Sequence, residues 1–288
     1  MWAFLFKSFL RLMKVAVIFY LCLLATWYFM QRKMIYLPDK KRPVAPAVAE
    51  IAVVHTKDAL ELQGWFFPPR NNLQTIVYFH GNAVGMKDHM IKINRYLDKG
   101  YGVLLTEYRG YGGNPGHPSE AGFYLDAHAF IDWLIEEKDV PFSEMVLYGE
   151  SIGSGVVLEM AKQYDERSMH PYAVVLEAPF LSLLQMSRRR HFYVPVDWLL
   201  LDRFMNTEKM VSVRVPLLVI NGEKDEFIPY TDGRTLYDLA QEPKTYIMIP
   251  EGDHNGLHFR GLQKYVLDFL ENIPSSDMDN KGSEAAEE

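Results

Sequence analysis

Ser151 lies at the centre of Gly149-Glu150-Ser151-Ile152-Gly153, behind an apolar run (Met145 to Tyr148) and ahead of a helical stretch that opens at Ile152. A serine hydroxyl is a weak nucleophile, so it needs exposure, a neighbouring base and a place for developing negative charge. Glycines two residues to either side allow a tight strand-to-helix turn that lifts the hydroxyl above a sheet. The N-terminus of the following helix then aims backbone N–H groups at an oxyanion. An ordinary turn with incidental glycines also satisfies the bare pattern. The strand before and the helix after favour the nucleophile.

The serine needs a base, and the chain has nine histidines. His254, in Pro250-Glu251-Gly252-Asp253-His254-Asn255, directly follows the last predicted strand. A lone loop histidine is ordinarily a solvated one, but chain order and strand-end placement make His254 the candidate base. Asp225, in Asn221-Gly222-Glu223-Lys224-Asp225, follows the strand Leu217–Ile220 and is the candidate orienting acid. Its bland reading is a turn aspartate bonded to its own backbone; Glu223 and Asp253 are rival acids. For the oxyanion, the candidate donors are the backbone N–H of Ile152 and that of Asn82, with Ala83 next. Asn82 belongs to His80-Gly81-Asn82-Ala83, after the strand Thr75–Phe79. Since backbone groups act there, the Asn82 side chain is expected to be dispensable, and His80 is read as loop structure.

Bringing three distant loops together requires a sheet. Two antiparallel strands open the domain, Ile51–His55 and Leu60–Phe67, with a turn near Lys57-Asp58. Short apolar runs follow at Thr75–Phe79, Gly102–Tyr108, Met145–Tyr148, Ala173–Leu176, Leu217–Ile220 and Thr245–Ile249. They show little alternation, as strands covered on both faces should. Helical stretches separate them at Lys87–Lys99, Glu120–Glu137, Ile152–Tyr164, Gly233–Ala240 and Leu262–Asn272. The pattern predicts an α/β fold: a mostly parallel central sheet of about eight strands with helices on both faces. The gap from Pro179 to Val215 is too long for a simple connection. It is expected to form a small helical cap, about 180–214, over the carboxyl edge.

Ahead of the domain, Val15 to Gln31 is uncharged and mostly apolar, bracketed by Lys14 and by Arg32-Lys33. As a helix it spans about 25 Å, and its flanks extend the apolar surface to the ~30 Å of a hydrocarbon core. Residues 1–36 are therefore expected to be a single-pass, uncleaved membrane anchor, with 37–50 a linker and 51–274 the domain. A cleaved signal peptide is disfavoured because Ala25-Thr26-Trp27 offers no small-x-small site. A buried core helix is disfavoured because the run precedes the domain and shows no polar face. Lysines and arginines flank both ends, so orientation stays open. The chain carries a net charge of −7, although residues 1–42 hold eight Lys and Arg against one Asp. The globular part is thus strongly acidic, which makes nucleic acid a poor partner. The tail 275–288, also acidic, is expected to be disordered. One cysteine, Cys22, leaves no disulfide framework, cysteine metal site or thiol nucleophile in the globular part.

With Tyr108-Arg109-Gly110-Tyr111-Gly112, Pro118-Ser119-Glu120 and Ala178-Pro179-Phe180, these motifs resemble those of the α/β-hydrolase superfamily over about residues 50–272. The chain is most similar to its small-cap, membrane-anchored members of the bud-emergence type. That resemblance implies hydrolysis of an ester, thioester or amide, without a metal or organic cofactor. The expected substrate is an acyl ester or thioester, lipids among them, cleaved through an acyl-enzyme on Ser151. Aminopeptidase-like or acyltransferase activity on the same residues, or a silent membrane scaffold, remain alternatives, and oligomeric state is open. Tyr108 to Gly112 lacks the lysine-serine ending of a phosphate loop and reads as a structural turn. Arg188-Arg189-Arg190-His191 either faces anionic headgroups or is a solvated charge run. Phe180, Phe192, Trp198, Leu199 and Phe204 either line an acyl pocket or pack the cap.

Overall fold

Fully covered apolar strands lie side by side in a computed structural model that describes residues 1–70, 73–83 and 85–274. The tail expected to be disordered, 275–288, lies outside the described residues. The chain runs α1 (Trp2–Ile35), β1 (Glu50–His55), β2 (Glu61–Phe67), β3 (Thr75–Phe79), α2 (Met86–Lys99), β4 (Gly102–Leu105), α3 (Glu120–Lys138) and β5 (Met145–Glu150). It continues through α4 (Ile152–Asp165), β6 (Ala173–Glu177), α5 (Leu183–Arg190), α6 (Val196–Leu199), α7 (Asn206–Lys209), β7 (Leu217–Gly222), α8 (Tyr230–Leu239), β8 (Lys244–Ile249) and α9 (Leu262–Glu271).

The eight strands form one sheet in the order β1-β2-β4-β3-β5-β6-β7-β8. β2 is antiparallel to both neighbours, and the pairings from β4 to β8 are all parallel. Every residue of β3, β5, β6 and β7 is buried, whereas the edge strand β1 alternates. Side chains of period two split between two cores. Val77 and Phe79 meet Phe130 and Val156 on one face; Ile76 and Tyr78 meet Ile93 and Val266 on the other. This is the mostly parallel α/β sheet that the sequence pattern predicts, in the α/β-hydrolase architecture that the resemblance implies.

Two boundaries differ from expectation. The strand expected over Gly102–Tyr108 ends at Leu105, because Thr106 spends both its N–H and its hydroxyl on the Tyr78 carbonyl, at 3.2 and 2.8 Å. α8 begins at Tyr230 rather than Gly233, since Pro229 caps a polar first turn that carries no apolar signal.

The segment between β6 and β7 carries the short helices α5, α6 and α7. α1 leans against it. This helix has 34 residues and is long and apolar enough to cross a membrane, a property that a signal sequence shares. Its last turns belong to the folded domain. Gln31 donates from Nε2 to the Leu199 carbonyl at 3.1 Å and accepts from the Leu201 N–H at 2.8 Å. Arg32 pairs with Asp202 at 2.8 Å, Trp27 packs with Leu184, Val194 and Leu200, and buried Tyr36 meets Phe123 edge-on.

Tyr108 to Gly112 is a turn pinned by Arg109, whose N–H and Nε reach Asp126 at 2.9 and 2.8 Å while its other nitrogens reach Asp58 at 2.7 and 3.0 Å. Burial pushes the Asp126 carboxyl up to about 6 even against the opposing pull of Arg109. Arg109→Met strands a buried carboxylate, and breaking such a pair typically costs ~3–5 kcal/mol. The expected result is a loss of that size in urea unfolding of the detergent-solubilised chain; a change below about 1 kcal/mol contradicts this role.

Candidate active site

β5 delivers Ser151 to the carboxyl edge of the sheet, and α4 leaves directly from it. At φ 51° and ψ −115°, Ser151 occupies backbone space that a non-glycine residue rarely adopts, at a cost of ~1–3 kcal/mol. The turn is held by the Ser151 N–H on the Glu177 carbonyl at 2.8 Å and by the Ser154 hydroxyl on the Ser151 carbonyl at 2.6 Å. Both flanking glycines are required by contact. A Cβ on Gly153 would sit 2.0 Å from the Phe79 carbonyl oxygen, and one on Gly149 would sit 2.5 Å from the Gly153 carbonyl oxygen.

Asp225 and His254 come together on the loops after β7 and β8, with Oδ2 and Nδ1 2.6 Å apart. The other carboxylate oxygen of Asp225 accepts the Phe227 and Ile228 N–H groups, each at 2.8 Å. The turn-aspartate and ring-orienting roles therefore coexist, one on each oxygen. The rival acids are engaged elsewhere: Glu223 accepts the Glu251 N–H and Asp253 accepts the Gly256 N–H. Burial opposes charge on the His254 ring, but the Asp225 hydrogen bond and charge, with Glu150 and Glu177 adding, raise its proton affinity above the ordinary histidine value. With Nδ1 on the carboxylate, Nε2 is left to face the cavity. No hydrogen bond joins Ser151 to His254 among the described residues. Both line the same cavity.

The N–H groups of Ile152 and Asn82 donate to no described residue, and both residues line that cavity. Gly81 approaches the serine closely; a Cβ there would be 3.6 Å from Ser151 Cβ. The Asn82 side chain has a partner of its own. It donates to the Ile35 carbonyl at 2.8 Å, while the Asn82 carbonyl accepts the Leu37 N–H at 3.1 Å and the Tyr111 hydroxyl at 2.9 Å. The loop beside Ser151 is thus fastened to the end of α1. His80 is fully buried, with its ring nitrogens 2.8 Å from Glu107 and 2.6 Å from the Gly81 carbonyl, and shapes that loop.

The cavity, about 500 Å³, is walled by Met34, Ile35 and Leu37 from the end of α1, by Phe180, and by Leu183, Met186, Arg190 and His191 from α5 and its end. Of the five apolar residues weighed for an acyl pocket, only Phe180 lines it. Phe204 is buried against Phe180 and Tyr124, Leu199 packs toward α1, and Phe192 and Trp198 point outward. The arginine run divides in three: Arg188 pairs with Asp197, Arg189 pairs with Asp232, and Arg190 has no carboxylate partner among the described residues. Among the described residues, no group of three or more His, Cys, Asp or Glu is arranged to hold a metal ion.

Beneath the serine lies a charge cluster absent from the sequence reading. Lys92 reaches Glu150 at 2.6 Å and Glu177 at 3.8 Å, and the Tyr78 and Tyr148 hydroxyls donate to those carboxylates at 2.6 and 2.7 Å. Burial favours the neutral acid at both sites. Lys92 and His89 overcome it at Glu150, which is held low, while Glu177 is pushed up to about 7. A lysine inside an amphipathic helix and a glutamate closing an apolar strand were the available signals.

Comparison with known proteins bears on the fold. The family described as "alpha/beta hydrolase fold" matches residues 74–195. An uncharacterized protein of Mycobacterium tuberculosis is 37% identical over 233 residues, covering 78% of this chain and 80% of its own. Lysophosphatidylserine lipase ABHD12 of Rattus norvegicus is 33% identical over 193 residues, 61% of this chain and 48% of the relative. Among solved structures, an alpha-beta hydrolase from Vibrio vulnificus superposes with a TM-score of 0.67 at 17% identity, over 82% of this chain and 89% of that one. Pyrococcus furiosus esterase Pf2001 gives 0.64 at 18% identity, over 83% and 100%. The parallel sheet, the glycine-flanked turn and the match over residues 74–195 establish the α/β-hydrolase fold, and the chain belongs to one family with the Mycobacterium tuberculosis relative.

Proposed function

We propose that this chain is a membrane-anchored serine hydrolase that cleaves a carboxylic ester or thioester through an acyl-enzyme on Ser151. The single observation that carries the reading is the shared cavity. Ser151 on its strained turn and a His254 ring already fixed by Asp225 open onto one space of acyl-chain dimensions. In the proposed cycle, His254 Nε2 takes the Ser151 proton as Oγ attacks the carbonyl carbon. The Ile152 and Asn82 N–H groups hold the oxyanion, and the imidazolium returns its proton to the departing alkoxide or thiolate. Water, deprotonated by the same ring, then releases the acid and restores the hydroxyl. Asp225 keeps the tautomer that makes this exchange possible.

Two features favour a lipid-type acyl substrate and a retained anchor. The cavity wall is largely apolar, and one relative is named as a lysophospholipid lipase. The α1 segment from Trp27 to Tyr36 is built into the domain, so its removal would expose core surface, whereas no residue of the most apolar stretch of α1 is buried, as lipid contact requires.

The direct test is hydrolysis of a p-nitrophenyl acyl ester series by the detergent-solubilised chain. Ser151→Ala is expected to lose about four to six orders of magnitude in kcat with unchanged unfolding, and full activity in that variant ends the proposal. The base must be unprotonated to accept the serine proton, and its proton affinity is raised. Activity should therefore fall as pH drops through a value above the ordinary ~6.5. Asp225→Asn should lose roughly 10⁴-fold in kcat, and its residual activity should show the acid limb displaced to lower pH. An acid limb that stays in place contradicts the pairing. Asn82→Ala should lower kcat by about three- to tenfold, the scale of one side-chain hydrogen bond of ~1 kcal/mol. No change would assign the Ile35 contact no part in holding the loop.

A further inference from the structure

The contacts between α1 and the segment after α5 descend along the helix axis. Arg32 meets Asp202, Gln31 meets Leu199 and Leu201, the Trp27 ring meets His191 at 5.6 Å, and the Tyr20 hydroxyl donates to the Tyr193 carbonyl at 2.8 Å. Twelve residues of helix separate Arg32 from Tyr20, about 18 Å at 1.5 Å per residue. One leaflet of hydrocarbon is about 15 Å thick. If α1 enters a bilayer with Arg32 at the headgroups, the His191–Tyr193 tip cannot remain in water. Its surface fits that position. Phe192 and Trp198 are each 87% exposed, and Tyr193 and Leu201 add partly exposed apolar surface beside them.

Hydrocarbon tolerates few unbonded peptide groups, and most of the backbone here is bonded. The His191 N–H bonds Ser187, the Val194 N–H bonds His191, the Val196 N–H bonds Val194, Tyr20 covers the Tyr193 carbonyl, and Pro195 has no N–H; the N–H groups of Phe192 and Tyr193 have no partner among the described residues, which places them toward the headgroup side. Arg188, at the end of α5, is paired with Asp197 of α6, the one acidic residue inside the segment, and Arg190 is left to meet an anionic headgroup.

We propose that the segment from His191 to Leu201 is a lipid-embedded face, sunk into the leaflet that α1 enters, so that substrate reaches Ser151 sideways from that leaflet. The inference rests on the anchored-hydrolase reading and deepens it. The substrate class is a membrane-resident acyl amphiphile with an anionic head, its chain passing between Ile35 of α1 and His191, both of which wall the cavity. The occupant of the exposed face is lipid, because the segment is held along α1 at Tyr20, Trp27 and Gln31 and exposes Phe192 and Trp198 beside the exposed apolar residues of that helix.

The test uses the full chain with Cys22→Ser, labelled with bimane at Phe192→Cys or, as a control at the amino edge of the sheet, at Lys99→Cys. Each is reconstituted in phosphatidylcholine vesicles with a minority of phosphatidylglycerol and acyl-chain nitroxide lipid. The expected result is quenching severalfold stronger at position 192 than at position 99. In a second measurement, Phe192→Ser with Trp198→Ser should lose about tenfold or more on a long-chain lysophosphatidylglycerol in vesicles, yet hydrolyse p-nitrophenyl butyrate in detergent at the unaltered rate. Equal quenching at both positions in protein that resists carbonate extraction overturns the proposal and leaves the anchor standing. Release by carbonate overturns the anchor and the proposal together. An unaltered chain inert on p-nitrophenyl butyrate overturns the hydrolase reading instead. A disulfide-linked dimer through position 192 in unlabelled protein, without lipid quenching in the labelled chain, shows that a second copy covers the face and also overturns the proposal.

Discussion

The site depends on how closely β5 and α4 can approach at one point. Ser151 holds a left-handed backbone angle that a side chain disfavours, and it is kept there because strand, helix and the end of β3 touch with no room for a Cβ at Gly149 or Gly153. A Cβ at either glycine would have to push strand and helix apart at the turn that carries Ser151 and the Ile152 N–H. Strain of this kind persists only where surrounding structure over-determines it. Here the surroundings are two glycines, the Glu177 carbonyl and the Ser154 hydroxyl.

The electrostatics are built around the same turn. Glu150, next to the serine, is buried with Glu177 and shares Lys92 with it, so two carboxylates and one ammonium lie below the His254 ring. Both carboxylates favour the charged ring and help offset the cost of its burial. Above the turn, the end of α1 forms a wall of the cavity and holds the Asn82 loop by its side chain. The helix that looks like an appendage in the sequence is part of the site's construction. That coupling ties the position of the loop that carries Asn82 to the position of the helix.

Much of this was legible before any coordinates, for identifiable reasons. Strands covered on both faces leave unbroken apolar runs, and all eight were visible, as were the turns that follow β5, β7 and β8 and carry Ser151, Asp225 and His254. What escaped was long-range and polar. The Asn82 side chain read as dispensable because its partner, the Ile35 carbonyl, lies 47 positions away. Gln31 read as the end of an apolar run, and only its bonds to Leu199 of α6 and to Leu201 just beyond it reveal it as a clamp. Phe192 and Trp198 could not be told from core aromatics by type alone; their outward direction is a property of the turns around Pro195. Register and periodicity declare themselves locally, whereas hydrogen-bond partners across the fold do not.

The central claim is that the Ser151 hydroxyl, activated by His254, is the nucleophile. The most direct measurement is treatment of the full-length chain with a fluorophosphonate, followed by intact mass and peptide mapping. The account predicts one phosphonyl adduct, on Ser151, formed much more slowly in a His254→Ala variant. An unmodified Ser151, or an adduct on another residue in folded protein, would contradict it.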